Sequence, residues 1–198
     1  MYPEVPAMAD PQPAGMTAEA YLAWEAEQPL KHEFVAGEIF AMGGASDRHV
    51  TVTLNVASAL RQQLRGGGCR TYMADMKVRV AAADAFFYPD VLVTCDPADH
   101  QRSQHKEAPC LVVEVLSPST AAYDRGAKFA AYRKLPSLRE YLLIDPEIGS
   151  LELYRADGQG HWVLYPHEAH EEVVLASLEA RLIGAEVFED APPGPEPR

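Results

Sequence analysis

Two acidic residues lie within segments that are otherwise apolar and rich in β-branched residues. Asp90 is part of AFFYPDVLVTC, and Glu114 is part of CLVVEVLS. A carboxylate that is buried in a strand without a partner costs several kcal/mol or has a raised pKa. Two such residues on successive strands therefore predict a positive charge between them, and a divalent metal ion is the first candidate.

The period of two along a strand predicts which residues share a face with each acid. On the second segment that face carries Cys110, Val112, Glu114 and Leu116, and on the first it carries Tyr88, Asp90 and Leu92. Pro89 cannot donate to a sheet ladder, so it predicts an edge or a bulge just before Asp90.

A helix is expected directly after the Glu114 strand, in SPSTAAYDRGAKFAAYRKL. Asp124, Lys128 and Tyr132 are spaced at i, i+4 and i+8, so they follow one helical face. Lys128 is therefore expected to reach the two acids and to complete a set of hydrolytic groups.

The remaining pattern predicts the order helix, hairpin, helix, strands, helix, strands, which is typical of an α/β or α+β fold with a mixed sheet. Thr17 and Ser46 are expected to cap the first two helices, and the hairpin is expected to turn at Ala36-Gly37. The predicted buried stripe of the second helix is Val50, Leu54, Ala57 and Leu64. Residues 96–109 are predicted to form a loop, 139–165 a meander, and 173–182 a final strand or strand pair.

Length and composition indicate one globular domain. Residues 16–190 are expected to form it, between a disordered proline-rich leader over 1–15 and a disordered tail over 191–198. The sequence contains no apolar run long enough for a membrane span and no signal peptide, so a cytoplasmic protein is expected. Cys69, Cys95 and Cys110 form no CxxC pair and are predicted to be buried free thiols of a reducing compartment.

The formal net charge of −12 argues against a protein that coats nucleic acid non-specifically, because such proteins are basic. It does not exclude an enzyme that acts on nucleic acid locally. Basic residues cluster around the second helix and the strands that follow it, at Arg61, Arg65, Arg70, Lys77 and Arg79. Such residues usually form only a solvated face, but a strip that borders the cleft of the acids would follow phosphates.

The segments YPDVLV, EVLSPST, DRGAKFAAYRK and REYLLIDPE resemble the PD-(D/E)XK nuclease superfamily, and within it the bacterial Uma-two family of restriction-type endonucleases. The resemblance runs from about Thr17 to about Leu182. It implies a restriction-endonuclease-like fold with a central mixed sheet flanked by helices. Pro89-Asp90 and Glu114 match the motif, but Leu116 stands at the position of its lysine. Lys128 is the expected replacement from the helix.

The resemblance also implies roles for the site residues. Asp90, Glu114 and the Val115 carbonyl would hold one or two Mg²⁺ or Mn²⁺ ions, and Lys128 would orient the attacking water. Glu33 in the first hairpin and His49 at the start of the second helix are further candidates. The implied reaction is hydrolysis of phosphodiester bonds, with DNA as the expected substrate and a homodimer as a reasonable assembly.

Other interpretations of the same residues remain open. Asp90 could be a turn residue, Glu114 could form a structural ion pair with Arg125 or Lys128, and Glu33 could lie on an exposed hairpin face. The whole chain could be an inactive nuclease-fold module that binds nucleic acid or a protein, or a hydrolase of another phosphoester. Metal binding without cleavage would favour the module, and a panel of small phosphodiesters would identify the hydrolase.

Overall fold

The structure, a computed structural model, describes residues 15–194. The predicted leader, apart from its last residue, and residues 195–198 of the predicted tail lie outside this range. The helices are α1 (Ala18–Glu25), α2 (Asp47–Gln63), α3 (Pro97–Gln101), α4 (Ala121–Tyr123), α5 (Phe129–Tyr132) and α6 (Gly184–Val187). A 3-10 turn spans Ala81–Ala83, and a π-helical turn, Asp124–Lys128, joins α4 to α5. We call the continuous segment of residues 121–132 the site helix.

The strands form one five-stranded sheet, one six-stranded sheet and one hairpin within the described residues. The five-stranded sheet has the order β2-β1-β5-β4-β7, with strands β1 (His32–Val35), β2 (Glu38–Ala41), β4 (Lys77–Val80), β5 (Ala85–Phe87) and β7 (His105–Lys106). The six-stranded sheet has the order β11-β10-β9-β8-β6-β3, with strands β3 (Arg70–Met73), β6 (Val91–Thr94), β8 (Pro109–Val115), β9 (Glu140–Asp145), β10 (Ser150–Ala156) and β11 (Trp162–Glu168). The hairpin pairs β12 (Glu172–Leu175) with β13 (Ala180–Ile183).

The segment around Asp90, which we predicted to be one strand, is two strands in different sheets. β5 pairs with β1 and β4, whereas β6 pairs with β3 and β8. Tyr88, Pro89 and Asp90 form the crossing between them. Because proline cannot donate to a ladder, Pro89 marks the end of pairing in the five-stranded sheet. Asp90 comes directly before the first residue of β6 in the six-stranded sheet.

The six-stranded sheet is the core of the molecule and is covered on both faces. Along β8, Leu111, Val113 and Val115 pack with α2, α6 and the β12–β13 hairpin. Val112 and Leu116 face the opposite side, where the site helix and the five-stranded sheet pack. β8 pairs parallel with β9 and antiparallel with β6, so the sheet is mixed, as predicted. Glu114 alternates onto the face of Val112 and therefore points toward the site helix.

The first two helices and the hairpin between them are confirmed. Thr17 caps α1, Ser46 caps α2, and the β1–β2 turn lies at Ala36 and Gly37, both with positive φ. The predicted buried stripe of α2 is wrong in part, because Val50 and Leu54 are 52% and 53% exposed. The buried face is instead formed by Val52, Thr53, Val56, Ala57 and Leu60. This face packs on the sheet. It includes Thr53, although threonine is a polar residue that is more often found at the surface.

The prediction of three free thiols is wrong for two of them, because Cys69 and Cys95 form a disulfide. Their separation of 26 residues gives no signal in the sequence. The antiparallel pairing of β3 with β6 places Arg70 opposite Thr94, and this register brings the flanking Cys69 and Cys95 together. Cys110 is a free, partly buried thiol.

Two connecting regions are more ordered than the sequence predicts. The predicted loop over 96–109 contains α3, which Asp96 caps, and the short strand β7. At the other end of the chain, Ala191 is buried in the core and the Gly194 amide donates to the Glu147 carbonyl. The fold therefore continues beyond residue 190. None of the helices in the described range is long and apolar enough to cross a membrane.

Candidate active site

Asp90 lies at the start of β6 and is held by the neighbouring strand. Its Oδ2 accepts a hydrogen bond of 2.7 Å from the amide of Val115, the last residue of β8. The Ala74 amide donates to its main-chain carbonyl over 3.2 Å. Asp90 is therefore fixed between β3 and β8, with its carboxylate beside the Glu114–Val115 peptide.

Lys128 reaches Glu114 from the site helix, as predicted, but among residues 15–194 its ion pairs are with Glu114, Glu33 and Asp124 and not with Asp90. The Lys128 Nζ lies 2.9 Å from Glu114 Oε1, and both side chains are buried. Leu116, at the position of the motif lysine, is buried in the core. The ammonium group that the strand lacks is thus supplied by the helix that follows it.

Glu33 joins the same group from β1 of the other sheet. Its Oε1 lies 3.0 Å from Lys128 Nζ and accepts a hydrogen bond of 3.2 Å from the Tyr88 amide. Glu33 is only 7% exposed, which excludes the alternative of an exposed hairpin residue. The site therefore lies where the two sheets and the site helix meet.

Asp124 is the third carboxylate around the lysine. Its Oδ1 lies 3.6 Å from Lys128 Nζ across the π-helical turn. We call Lys128, Glu33, Glu114 and Asp124 the Lys128 cluster. With Asp90 beside it, this region contains four carboxyl groups and one ammonium, so ionised groups would give an excess of negative charge.

Burial and this excess charge act on the pKa of each partner. Burial raises the pKa of Glu114 well above its ordinary value, Lys128 opposes the shift, and the charges of Asp124 and Asp90 add to it. Burial would lower the pKa of Lys128, but the carboxylates of Glu114, Glu33 and Asp124 outweigh it and raise that pKa. The raised pKa keeps Lys128 a cation at neutral pH.

His49 lies on the first turn of α2, next to Asp90. Its Nε2 is 3.3 Å from Asp90 Oδ2. Burial alone would lower the pKa of His49, but the hydrogen bond and negative charge of Asp90 outweigh burial and raise it. The structure thus brings all the predicted side chains, Asp90, Glu114, Lys128, Glu33 and His49, into one region, although His49 contacts Asp90 and not the lysine.

The donor atoms fit a hard divalent cation. Asp90, Glu114 and the Val115 carbonyl present only oxygen atoms, which Mg²⁺ and Mn²⁺ prefer. Within residues 15–194, no group of three or more His, Cys, Asp or Glu side chains has the arrangement of a metal site. Mg²⁺ usually takes only one or two carboxylates and keeps several waters, so the predicted set fits its chemistry.

Asp124 and Tyr132 also contact the site, although neither was among the predicted site residues. The Tyr132 hydroxyl donates to Glu114 Oε1 over 3.2 Å, and the side chain is fully buried, so Tyr132 fixes the carboxylate from the site helix. The i, i+4, i+8 spacing with Lys128 was the available signal. Arg125, the alternative partner for Glu114, instead pairs with Glu152 over 2.7 Å. Asp75, an acid of the same region of sequence, is an exposed turn residue.

The chain is similar in sequence to known proteins over most of its length. Residues 18–184 match the family model Uma2, described as "Putative restriction endonuclease". Two proteins of Synechocystis sp. are similar to the chain. "Uncharacterized protein slr1290" is 40% identical over 163 residues, which cover 82% of this chain and 86% of that protein. "Uncharacterized protein sll1609" is 37% identical over 151 residues, which cover 75% of this chain and 85% of that protein.

A solved structure shares the fold. It is the crystal structure of "a putative nuclease belonging to DUF820" from Anabaena variabilis, which superimposes with a TM-score of 0.71 at 18% sequence identity. The alignment covers 88% of this chain and 98% of that one. The predicted fold class, a mixed sheet flanked by helices as in restriction endonucleases, is confirmed.

Proposed function

Because the chain belongs to the Uma2 family, which is described as "Putative restriction endonuclease", we propose that it is a metal-dependent endonuclease that hydrolyses phosphodiester bonds in DNA. One observation carries the proposal. The Lys128 ammonium lies within 3.0 Å of carboxylates from both sheets, Glu33 and Glu114, at a site bordered by Asp90. This arrangement resembles the acid, acid and lysine set of the PD-(D/E)XK superfamily, with the lysine supplied by a helix, and it supports the proposal.

The charge of the site supports a divalent cation. Two negative charges that share a buried site repel each other strongly, and the repulsion is relieved by a proton or by a cation. The Lys128 cluster and Asp90 have four acids and only one lysine. Asp90, Glu114 and the Val115 carbonyl are the groups that would hold Mg²⁺ or Mn²⁺. When bound, such an ion polarises a phosphoryl oxygen and offsets the charge that develops in phosphodiester hydrolysis.

The protein's own groups would then orient the attacking water and stabilise negative charge on the substrate. Lys128 would hold the attacking water through a charged hydrogen bond and would stabilise negative charge on the phosphoryl oxygens. Glu33 and Asp124 keep its ammonium beside Glu114, and Tyr132 fixes the Glu114 carboxylate. His49 fixes the orientation of Asp90 from α2. The burial of Lys128 and Glu114 keeps bulk water from screening these interactions.

The test is cleavage of supercoiled plasmid and of single-stranded DNA with Mg²⁺ or Mn²⁺. Wild type would be compared with Asp90→Asn, Glu114→Gln and Lys128→Met, and Asp75→Asn would be the matched acid control, because Asp75 is 83% exposed. We expect metal-dependent cleavage by the wild type and the control, and a loss of at least about 100-fold in each site variant. Full activity in folded Asp90→Asn or Glu114→Gln would contradict the proposal.

A second function is favoured by one observation: Lys128 is enclosed by three carboxylates and is only 5% exposed. A lysine held in this way also suits an inactive nuclease-fold module that binds nucleic acid. Calorimetry with Mg²⁺ separates the two functions. Metal binding that is lost in Asp90→Asn, without cleavage of plasmid, single strands or small phosphodiesters by the wild type, would establish the module.

A further inference from the structure

A basic groove lies at the far end of α2, outside the site described above. It has a volume of about 490 Å³ and is formed by the last turn of α2, the glycine-rich turn that follows, and the edge strand β3. Arg61, Arg65 and Arg70 contribute three guanidinium groups, and Gly66, Gly67 and Tyr72 form much of the remaining wall. We call this feature the arginine groove.

The arginines of this groove form no ion pair with other described residues. None of the ion pairs within residues 15–194 includes Arg61, Arg65 or Arg70. By contrast, Arg48, Arg125 and Arg155 are each paired with a glutamate. No acidic residue is among those that line the groove. In a chain of net charge −12, three exposed and unpaired guanidinium groups around one cavity form a local site for an anion.

Two elements connect the arginine groove to the candidate active site. His49, on the first turn of α2, lies beside Asp90, and Arg61 follows it on the same helix after 12 residues, a distance of about 18 Å at about 1.5 Å per residue. β3 begins with Arg70, and the residue that follows its end, Ala74, donates to the Asp90 carbonyl. Those four residues span about 13 Å at about 3.3 Å per residue. Both paths place the groove about 13–18 Å from Asp90.

We propose that the arginine groove binds the phosphate backbone of the nucleic-acid substrate, about four or five nucleotides away from the phosphodiester at Asp90 and Glu114. This count follows from the distance and from the rise of about 3.4 Å per nucleotide of each strand. Guanidinium groups bind phosphate oxygens through paired hydrogen bonds. An acidic protein also needs such a local strip, because its overall field repels a polyanion. The inference rests on the proposed function, since it assigns the surface that holds that substrate.

The experiment compares two triple variants that remove the same charge. The groove variant is Arg61→Gln, Arg65→Gln and Arg70→Gln. The control is Arg133→Gln, Lys134→Gln and Arg139→Gln, a set of exposed residues around the end of the site helix and the start of β9. Binding of a fluorescein-labelled duplex of about 20 base pairs, long enough to span both sites at about 3.4 Å per base pair, would be measured by anisotropy. Ca²⁺ would replace Mg²⁺, and salt would be varied.

We expect the groove variant to bind the duplex more weakly and with a smaller dependence on salt. Three lost phosphate contacts lower the slope of log K against log salt by about 2.7, so wild type should lose about 40-fold more affinity than the groove variant between 50 and 200 mM salt. The control variant should keep most of the wild-type slope. Cleavage of a dinucleotide in Mg²⁺ should not change in the groove variant, because a single phosphodiester cannot span the two sites.

The outcomes separate this inference from the proposed function. Duplex binding and salt slope equal to wild type in the groove variant, or an equal loss in the control, would overturn the arginine groove even if the wild type cleaves DNA. Groove-dependent binding without cleavage by the wild type would overturn the nuclease and leave the groove standing. A wild type that binds no nucleic acid would overturn both.

Discussion

Two buried lysines of this molecule have opposite surroundings. Lys128 is 5% exposed and lies among three carboxylates, whereas Lys106 is 2% exposed and donates to the main-chain carbonyls of Asp99 and Arg102. Near Lys106 the buried acid is Asp99, and each of its carboxylate oxygens accepts two hydrogen bonds. The donors are Arg102 and the Glu107 amide for Oδ1, and Thr94 and the Ala108 amide for Oδ2. We call Lys106, Asp99, Thr94 and Arg102 the Lys106 cluster.

The difference separates a structural network from a candidate site. In the Lys106 cluster every charge is matched by donors or acceptors that the fold supplies, so the network fixes the connection between β6 and β8. In the Lys128 cluster the acids outnumber the cation, and the imbalance would favour a further positive charge. Burial of an acid and a lysine is common to both, and it is the balance of charge that distinguishes them.

The largest expected effect is on cleavage by the two lysine variants. Lys128→Met should lower the cleavage rate by about 100-fold to 1,000-fold, because a donor aimed at the reacting groups is lost. Lys106→Met should keep the rate per folded molecule within about threefold of wild type, since Lys106 donates to the main-chain carbonyls of Asp99 and Arg102 and forms no ion pair with the acids of the Lys128 cluster. Plasmid cleavage, normalised to the folded fraction from circular dichroism, measures both. Equal losses of cleavage rate in the two variants would show that the balance of charge does not distinguish the Lys128 cluster from the Lys106 cluster.

The second comparison concerns stability. Asp99→Asn should lower the free energy of unfolding by about 3 kcal/mol, because the amide nitrogen would face two donors and Arg102 would lose one of its two charge partners. Glu114→Gln should change it by less than about 1 kcal/mol, since the amide oxygen can still accept from Lys128 and Tyr132 while one repelling charge is removed. Urea unfolding in EDTA gives both values. A larger loss in Glu114→Gln than in Asp99→Asn would contradict the charge argument.

A third comparison uses the metal ion itself. At about ten times its dissociation constant, a ligand that binds only the folded state stabilises it by about 1.4 kcal/mol. Mg²⁺ should therefore raise the melting temperature of the wild type by about 3–6 °C for a chain of this size. The shift should disappear in Asp90→Asn and persist in Arg102→Gln, because Arg102 pairs with Asp99 and Glu107 and with no group of the Lys128 cluster. A shift that survives in Asp90→Asn would place the cation elsewhere.

The smallest effects are expected from two single hydroxyl groups. Tyr132→Phe removes the donor to Glu114, and Thr94→Val removes the donor to Asp99. Each should cost about 1 kcal/mol of stability, the usual value of a buried hydrogen bond. Only Tyr132→Phe should also lower the cleavage rate, by several-fold, because Glu114 would be less well fixed. Kinetics and urea unfolding of the pair test this, and a similar rate for both variants would assign Tyr132 a structural role alone.

The sequence predicts the site better than it predicts the sheet around it. Asp90 and Glu114 stand out because acids are costly in apolar strands, and Lys128 follows from helical spacing. The junction at Pro89 could not be assigned to two sheets, since local patterning does not specify which strands pair. The Cys69–Cys95 disulfide was missed for the same reason, because only the β3–β6 register brings these residues together. The Lys106 cluster was hidden in a polar segment whose composition is typical of a loop.

The π-helical turn of the site helix makes the surroundings of Lys128 sensitive to insertions and deletions in that helix. A π turn closes over five residues instead of four, so it contains one residue more than the α-helix on either side. Each residue of an α-helix rotates the chain by about 100°. Because five π-helical residues rotate the chain about as far as four α-helical ones, loss of one residue from within Asp124–Lys128 would leave α4 and α5 nearly in phase, but it would change the spacing of Asp124 and Lys128 from i, i+4 to i, i+3. Insertions and deletions, and not substitutions alone, can thus alter which carboxylates surround this lysine among related chains.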